Sequence, residues 1–160
     1  QPMNAERGDI VGIEGTFQQQ FTFLPGLLSG LGVELTGTLV DARLRLPGDR
    51  SSRFPQQSKF LYGAQLFYQQ GRVEASVAFH NTGSSLISAG SQGYQDQYND
   101  DLRRLDAKIS FEITPGITVF AEGQNLTDEP TRQYQGTNSD WTIQNERYGR
   151  TFWGGVSARF

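Results

Sequence analysis

Cysteine is absent from the 160 residues, and histidine and methionine occur once each. Without thiols there is no disulfide framework and no cysteine-based metal site. One imidazole, His80, supports neither a two-histidine metal centre nor a Ser-His-Asp triad. The chain has no run of 18 apolar residues, so no helical membrane span is predicted. A basic surplus is missing as well. The formal net charge is −3, and a nucleic-acid partner would require a basic face. The first seven residues, Gln1 to Arg7, carry no basic-plus-apolar leader pattern. Gly30 and Gly32 precede no helix whose amino terminus would hold a phosphate, and no cofactor-binding pattern is found. Asp96, Asn99, Asp100 and Asp101 lack the spacing of a calcium loop and predict a solvated acidic loop. Asn125-Leu-Thr127 matches a glycosylation sequon but reads more simply as the end of a strand. Nothing here points to an enzyme.

What the chain has instead is glycine (19), phenylalanine (11), tyrosine (6) and a period of two. Seven alternating segments predict strands at 11–23, 33–42, 59–69, 72–80, 105–114, 117–124 and 148–160. The clearest, 105–114, sets Leu105, Ala107, Ile109, Phe111 and Ile113 against Asp106, Lys108, Ser110, Glu112 and Thr114. Gln19 and Phe67 are exceptions to an otherwise regular alternation. Such strands are longer than the five or six residues usual in soluble sheets.

The links alternate in length. Those at 43–57, 81–102 and 126–147 are long and polar; those at 24–32, 70–71 and 115–116 are short. An antiparallel meander would place all the long links at one end. That is the pattern of a transmembrane β-barrel, with long extracellular loops and short periplasmic turns. A soluble sandwich, with the apolar face as its core, is the alternative.

Three stretches carry a family resemblance. They are Leu105-Asp-Ala-Lys-Ile-Ser-Phe111, Thr118-Val-Phe-Ala-Glu-Gly-Gln-Asn-Leu-Thr-Asp-Glu-Pro130 and Glu146-Arg-Tyr-Gly-Arg-Thr-Phe-Trp-Gly-Gly-Val-Ser-Ala-Arg-Phe160. Together they resemble the carboxy-terminal end of TonB-dependent outer-membrane receptors. The resemblance covers about the last third of the chain by motif, and the 55–59 segment adds a weaker match. It implies that residues 1–160 are about seven strands of a larger barrel of about 22. The plug domain and signal peptide of the family are absent from this sequence. The implied function is import of a scarce solute, such as a ferric siderophore, an oligosaccharide or a cobalamin-like cargo. Energy would come from TonB, acting through the plug. The implied location is the Gram-negative outer membrane, with lipid, lipopolysaccharide and the barrel-assembly machinery as partners. A passive porin and a soluble all-β ligand-binding module are the alternatives.

Candidate site residues follow from this topology. Tyr94, Tyr98, Tyr134 and Trp141 lie in the two longest links, where aromatic rings with polar tips suit a small-molecule cargo or simply pack the loops. Arg43, Arg45, Arg50 and Arg53 are either lipopolysaccharide contacts or ordinary loop charge. The resemblance makes Phe160, with Ala158 and Val156 on the same strand face, a barrel-assembly signal; packing is the alternative role for that ring.

Overall fold

The computed structural model describes residues 6–48 and 50–159, so Phe160 lies outside the described residues. The described residues form twelve strands: β1 (Arg7–Gln20), β2 (Leu31–Leu46), β3 (Arg50–Arg53), β4 (Phe60–Gln70), β5 (Val73–Thr82), β6 (Ser85–Ser88), β7 (Gln97–Asn99), β8 (Leu102–Thr114), β9 (Ile117–Gln124), β10 (Thr131–Gln135), β11 (Thr142–Glu146) and β12 (Thr151–Ala158). Seven of them form one meander in the order β1-β2-β4-β5-β8-β9-β12, every neighbour antiparallel. These are the seven segments with a period of two, and the three long links stand at one end of the sheet, as the alternation predicts.

Register turns seven separate alternations into two continuous faces. Val33 pairs with Leu66, Leu66 with Val77, Val77 with Ala107, Ala107 with Gly123 and Gly123 with Phe152. Two steps along the face, Val73, Phe111, Val119 and Val156 form a parallel row. The opposite face carries Gln18, Glu34, Gln65 and Asp106 in one row and Ser76, Lys108, Glu122 and Trp153 in another. Because side chains alternate, a slip of one residue at any pair would mix the two faces. Among the described residues the one shift in this sheet falls past Glu112 in β8, where Thr114 meets Ile117 beside the 115–116 turn.

Phe67, an exception in the sequence pattern, now has a local reason. It lies directly opposite Gly32, and a Cβ on that glycine would sit 2.2 Å from Phe67 Cζ. Phe120 stands in the same relation to Gly155. Each ring covers a backbone that has no side chain of its own, a cross-strand pairing that helps to hold register.

Among the described residues no second layer covers either face. Among the described residues only Ala42 and Leu86 are buried hydrophobics, while Ile109 is 52% exposed and Val156 67%. The accessible surface is 10847 Å², against roughly 8,000 Å² for a compact monomer of this mass. A soluble domain would bury its apolar sheet face against another element. Among the described residues no element lies over this face.

The strand ends differ from the sequence reading, each for a local reason. The first strand stops at Gln20 because the chain turns through Phe21–Leu24, with Phe21 N donating to Leu31 O, into a short 3-10 turn at Gly26–Gly30. The 43–57 link is not all loop, since β2 runs on to Leu46 and β3 folds back on it. The turn between them passes through Gly48, whose φ of +80° favours glycine. The closing strand begins at Thr151, not Tyr148. Gly149, at φ +78°, breaks the line, and the Tyr148 hydroxyl donates to Glu146 instead of following the apolar face.

Candidate functional site

The long links are not independent loops. Strands β11-β10-β7-β6 form a second, four-stranded sheet at the long-link end, joining the 81–102 and 126–147 segments. The 43–57 segment is tied in by an isolated parallel bridge, Pro55 with Leu86, and Ser58 just after it bridges Ser85. The predicted solvated acidic loop is thereby corrected. Its carboxylates are held by partners.

Asp96 is the hub. Its side chain is 7% exposed, and Arg50 Nη2 donates to both of its oxygens, at 2.6 Å to Oδ2. The same guanidinium donates through Nη1 to the Gly90 carbonyl, and Gly90 N donates to Asp96 Oδ1 at 2.9 Å. From the third link, Gly136 N donates to the Asp96 carbonyl at 2.8 Å. One residue thus joins all three long segments. Its neighbours follow suit: Asp100 pairs with Arg132 at 3.2 Å, and Asp101 accepts from Ser84 N at 2.7 Å. In sequence these carboxylates look alike. Only the distant partners, Arg50 and Arg132, single out Asp96 and Asp100.

The four aromatic candidates separate into two kinds. Tyr98 and Tyr134 are cross-strand neighbours whose rings stack at 5.2 Å and 16°. The Arg53 guanidinium lies 5.6 Å from the Tyr98 ring centre. Both tyrosines are half-buried, and their stack helps to hold the loop sheet. Tyr94 (63% exposed) and Trp141 (57%) border Gly136, where a Cβ would come within 3.3 Å of the Trp141 ring and of the Tyr94 carbonyl oxygen. These two present open aromatic surface at the loop end.

Burial, with Asp96 nearby, raises the Tyr98 phenol above its ordinary value, although Arg53 opposes the shift. A raised phenol contributes stability that is complete below about pH 10 and lost as pH rises through the raised value. Tyr98→Phe should therefore remove one late-titrating phenol from an alkaline absorbance titration. It should also remove the alkaline loosening of the loop sheet. An unchanged titration would place Tyr98 in water.

The arginine candidates also divide. Arg50 is engaged by Asp96, and Arg53 donates to Ser84 and covers Tyr98. Arg43 and Arg45 lie on the β2 extension, exposed, opposite Asp9 and Arg7 of β1. Arg43 pairs with Asp41 at 3.0 Å and Arg7 with Asp9 at 2.9 Å. Three arginines face two aspartates there, a rim with only a small basic surplus.

At the start of the third long link, Asn125 adopts φ +51° and closes the Asn-Leu-Thr-Asp turn. Its amide donates to the carbonyls of Glu129 and Gly149, both at 3.2 Å, and Glu129 N donates to its Oδ1 at 2.9 Å. Asp106 accepts from Asn125 N at 2.8 Å. The motif is a clamp that joins β8, the start of the 126–147 link and the approach to β12. The sequence reading of a strand end is right in place but misses this clamping role.

Among the described residues, no group of three or more His, Asp or Glu side chains is placed to hold a metal ion. Val156 and Ala158 share one face of β12, opposite Val119 and Ile117. A recess of about 640 Å³ is bordered by Leu66, Ile109 and Phe152 of the apolar face, with Ala75, Ala107, Ala121 and Gly154 as its small residues. Compared with known proteins, the chain matches no family model, no curated protein and no solved structure.

Proposed function

We propose that the seven-stranded sheet is part of the wall of an outer-membrane β-barrel, the carboxy-terminal part of an active transport receptor of the TonB-dependent kind. The observation that carries this reading is the apolar face, continuous across seven strands and covered by no element among the described residues. Lipid is the environment that such a face suits, with acyl chains filling the recess over its small residues. The links support the same orientation. Three long segments consolidated by Asp96 stand outside the cell, and three short turns face the periplasm.

The free edges support a larger barrel. β1 and β12 each have one neighbour, and seven antiparallel strands leave them running in the same direction. Closing β1 on β12 would make a parallel seam, and an open edge in hydrocarbon costs several kcal/mol per unsatisfied group. A complementing set with an odd number of strands removes both problems and gives an even-stranded barrel. Tyr94 and Trp141, open at the outer end, are then the first aromatic surface that a cargo meets. Arg43 and Arg45 reach the level of lipopolysaccharide phosphates, while Arg50 and Arg53 hold the loops. On this reading the family resemblance makes Phe160 the residue that the assembly machinery would read.

Energised import separates this function from a passive porin. Cells carrying the receptor should bind cargo at their surface with or without a proton gradient but accumulate it only with one. Collapsing the gradient with a protonophore is the test. Continued accumulation would make the protein a porin.

A further inference from the structure

We propose that the turn at residues 21–30 is a membrane-interface anchor whose apolar side chains enter the periplasmic leaflet. The inference rests on the barrel-wall reading and adds a lipid contact outside the sheet itself. A meander needs only a two-residue turn between neighbouring strands, as at Gly71-Arg72 and Pro115-Gly116, which carry no large apolar side chain. The β1–β2 link instead runs Phe21-Thr-Phe-Leu-Pro-Gly-Leu-Leu-Ser-Gly30. Its extra length presents Phe23 at 75% exposure, Leu27 at 74% and Leu28 at 52%. No charged residue stands between Glu14 and Glu34.

The turn has a fixed course. Phe21 N donates to Leu31 O at 2.7 Å, Leu24 N to Phe21 O at 2.9 Å and the Ser29 hydroxyl to Gly26 O at 2.8 Å. From β4, the Gln70 amide also donates to Gly26 O, at 3.2 Å. Gly30 is buried, and a Cβ there would come within 2.8 Å of Gln70 Cβ and 3.0 Å of the Tyr68 ring. So held, the link keeps Phe23, Leu27 and Leu28 outward instead of letting them collapse onto the end of the sheet.

Position names the occupant. Tyr68, against which the turn leans, stands in the apolar row Leu31, Tyr68, Ala75, Ile109, Ala121 and Gly154. The turn therefore continues the lipid-facing side of the proposed wall past the end where the short links lie. Apolar side chains at that level suit the boundary of headgroups and acyl chains, where such groups are buried about 5–10 Å deep. A protein partner suits it poorly. Specific interfaces take about 20–30 residues a side, and three side chains of one turn fall far short.

The test places a nitroxide on a single introduced cysteine in the full receptor, reconstituted in phosphatidylcholine vesicles. Leu27→Cys probes the turn, Ile109→Cys is the mid-face reference, and Thr114→Cys, exposed beside the 115–116 turn, is the aqueous one. Leu27 is largely exposed, so its replacement should leave the fold intact. Collisions with oxygen, which concentrates in lipid, and with a water-soluble nickel chelate report the surroundings of each label. The oxygen-to-nickel ratio at residue 27 should exceed that at 114 and approach that at 109. Adding Phe23→Asp should lower it toward the value at 114. A ratio equal to that at 114 overturns the anchor, as does protection from both reagents, the mark of a protein occupant such as a second copy. A ratio that Phe23→Asp leaves unchanged overturns it too, since the label alone would then have entered lipid. In each case the barrel wall stands if the Ile109 label favours oxygen, and falls with the anchor if that label favours nickel.

Discussion

Asp96→Ala should release the three long links from one another while leaving the seven-stranded wall paired. The substitution strips the Arg50 guanidinium of its carboxylate in a place where the pair is mostly buried. Removing one partner of such a pair costs about 3–5 kcal/mol, because the remaining charge is left without compensation. The loss also frees Gly90 N, which donates to Asp96 Oδ1. Amide hydrogen exchange should therefore accelerate at Gly90 and through β6, β7 and β10, and proteases should cut within 81–102. Strands β5 and β8, directly below, should keep their protection. A double replacement, Arg50→Met with Asp96→Leu, should recover much of the loss, since exchanging a whole buried pair for apolar groups is often neutral. Unchanged exchange in Asp96→Ala would mean that the loop sheet is held by its strand pairing and the Tyr98–Tyr134 stack alone.

Ile109→Arg should destabilise the protein in lipid by about 2–4 kcal/mol, the cost of an arginine at mid-membrane on the lipid side of a barrel. Ser110→Arg, one residue along on the polar face, should cost far less. The contrast is sharp because Ile109 lies mid-sheet between Ala75 and Ala121 and has no protein layer over it. Outside a membrane the same exposed isoleucine could become arginine within about 0.5 kcal/mol. Urea unfolding of the two variants in lipid vesicles reads the difference directly. Equal costs would reject lipid as the occupant of this face, and with it the barrel wall.

The alternation of side chains was legible in the sequence because strand geometry has a period of two and needs only neighbours along the chain. Residues 117–124 contain the whole of β9, and the apolar rows follow once the strands pair in order. Link lengths were legible for a similar reason. In a meander a long link can only join two strands at the end where they stop. These local facts determined an all-β, antiparallel chain with two unlike faces and its long segments gathered at one end.

Tertiary structure decided what those segments do. Arg50 and Asp96 are 46 residues apart, and no periodicity relates them. Four arginines that look alike in sequence become two loop clasps and two rim charges, because β3 folds back onto β2 and turns Arg50 and Arg53 toward the other links. The same holds for the aromatic residues. Tyr98 and Tyr134 face each other only because β7 pairs with β10, whereas Tyr94 and Trp141 stay open beside Gly136. Phe67 breaks the alternation in sequence, yet in space it covers Gly32 of the neighbouring strand. Periodicity acts between near neighbours and is written along the chain; a charge pair, a stack or a recess needs segments brought together by pairing, and that information exists only in the folded sheet.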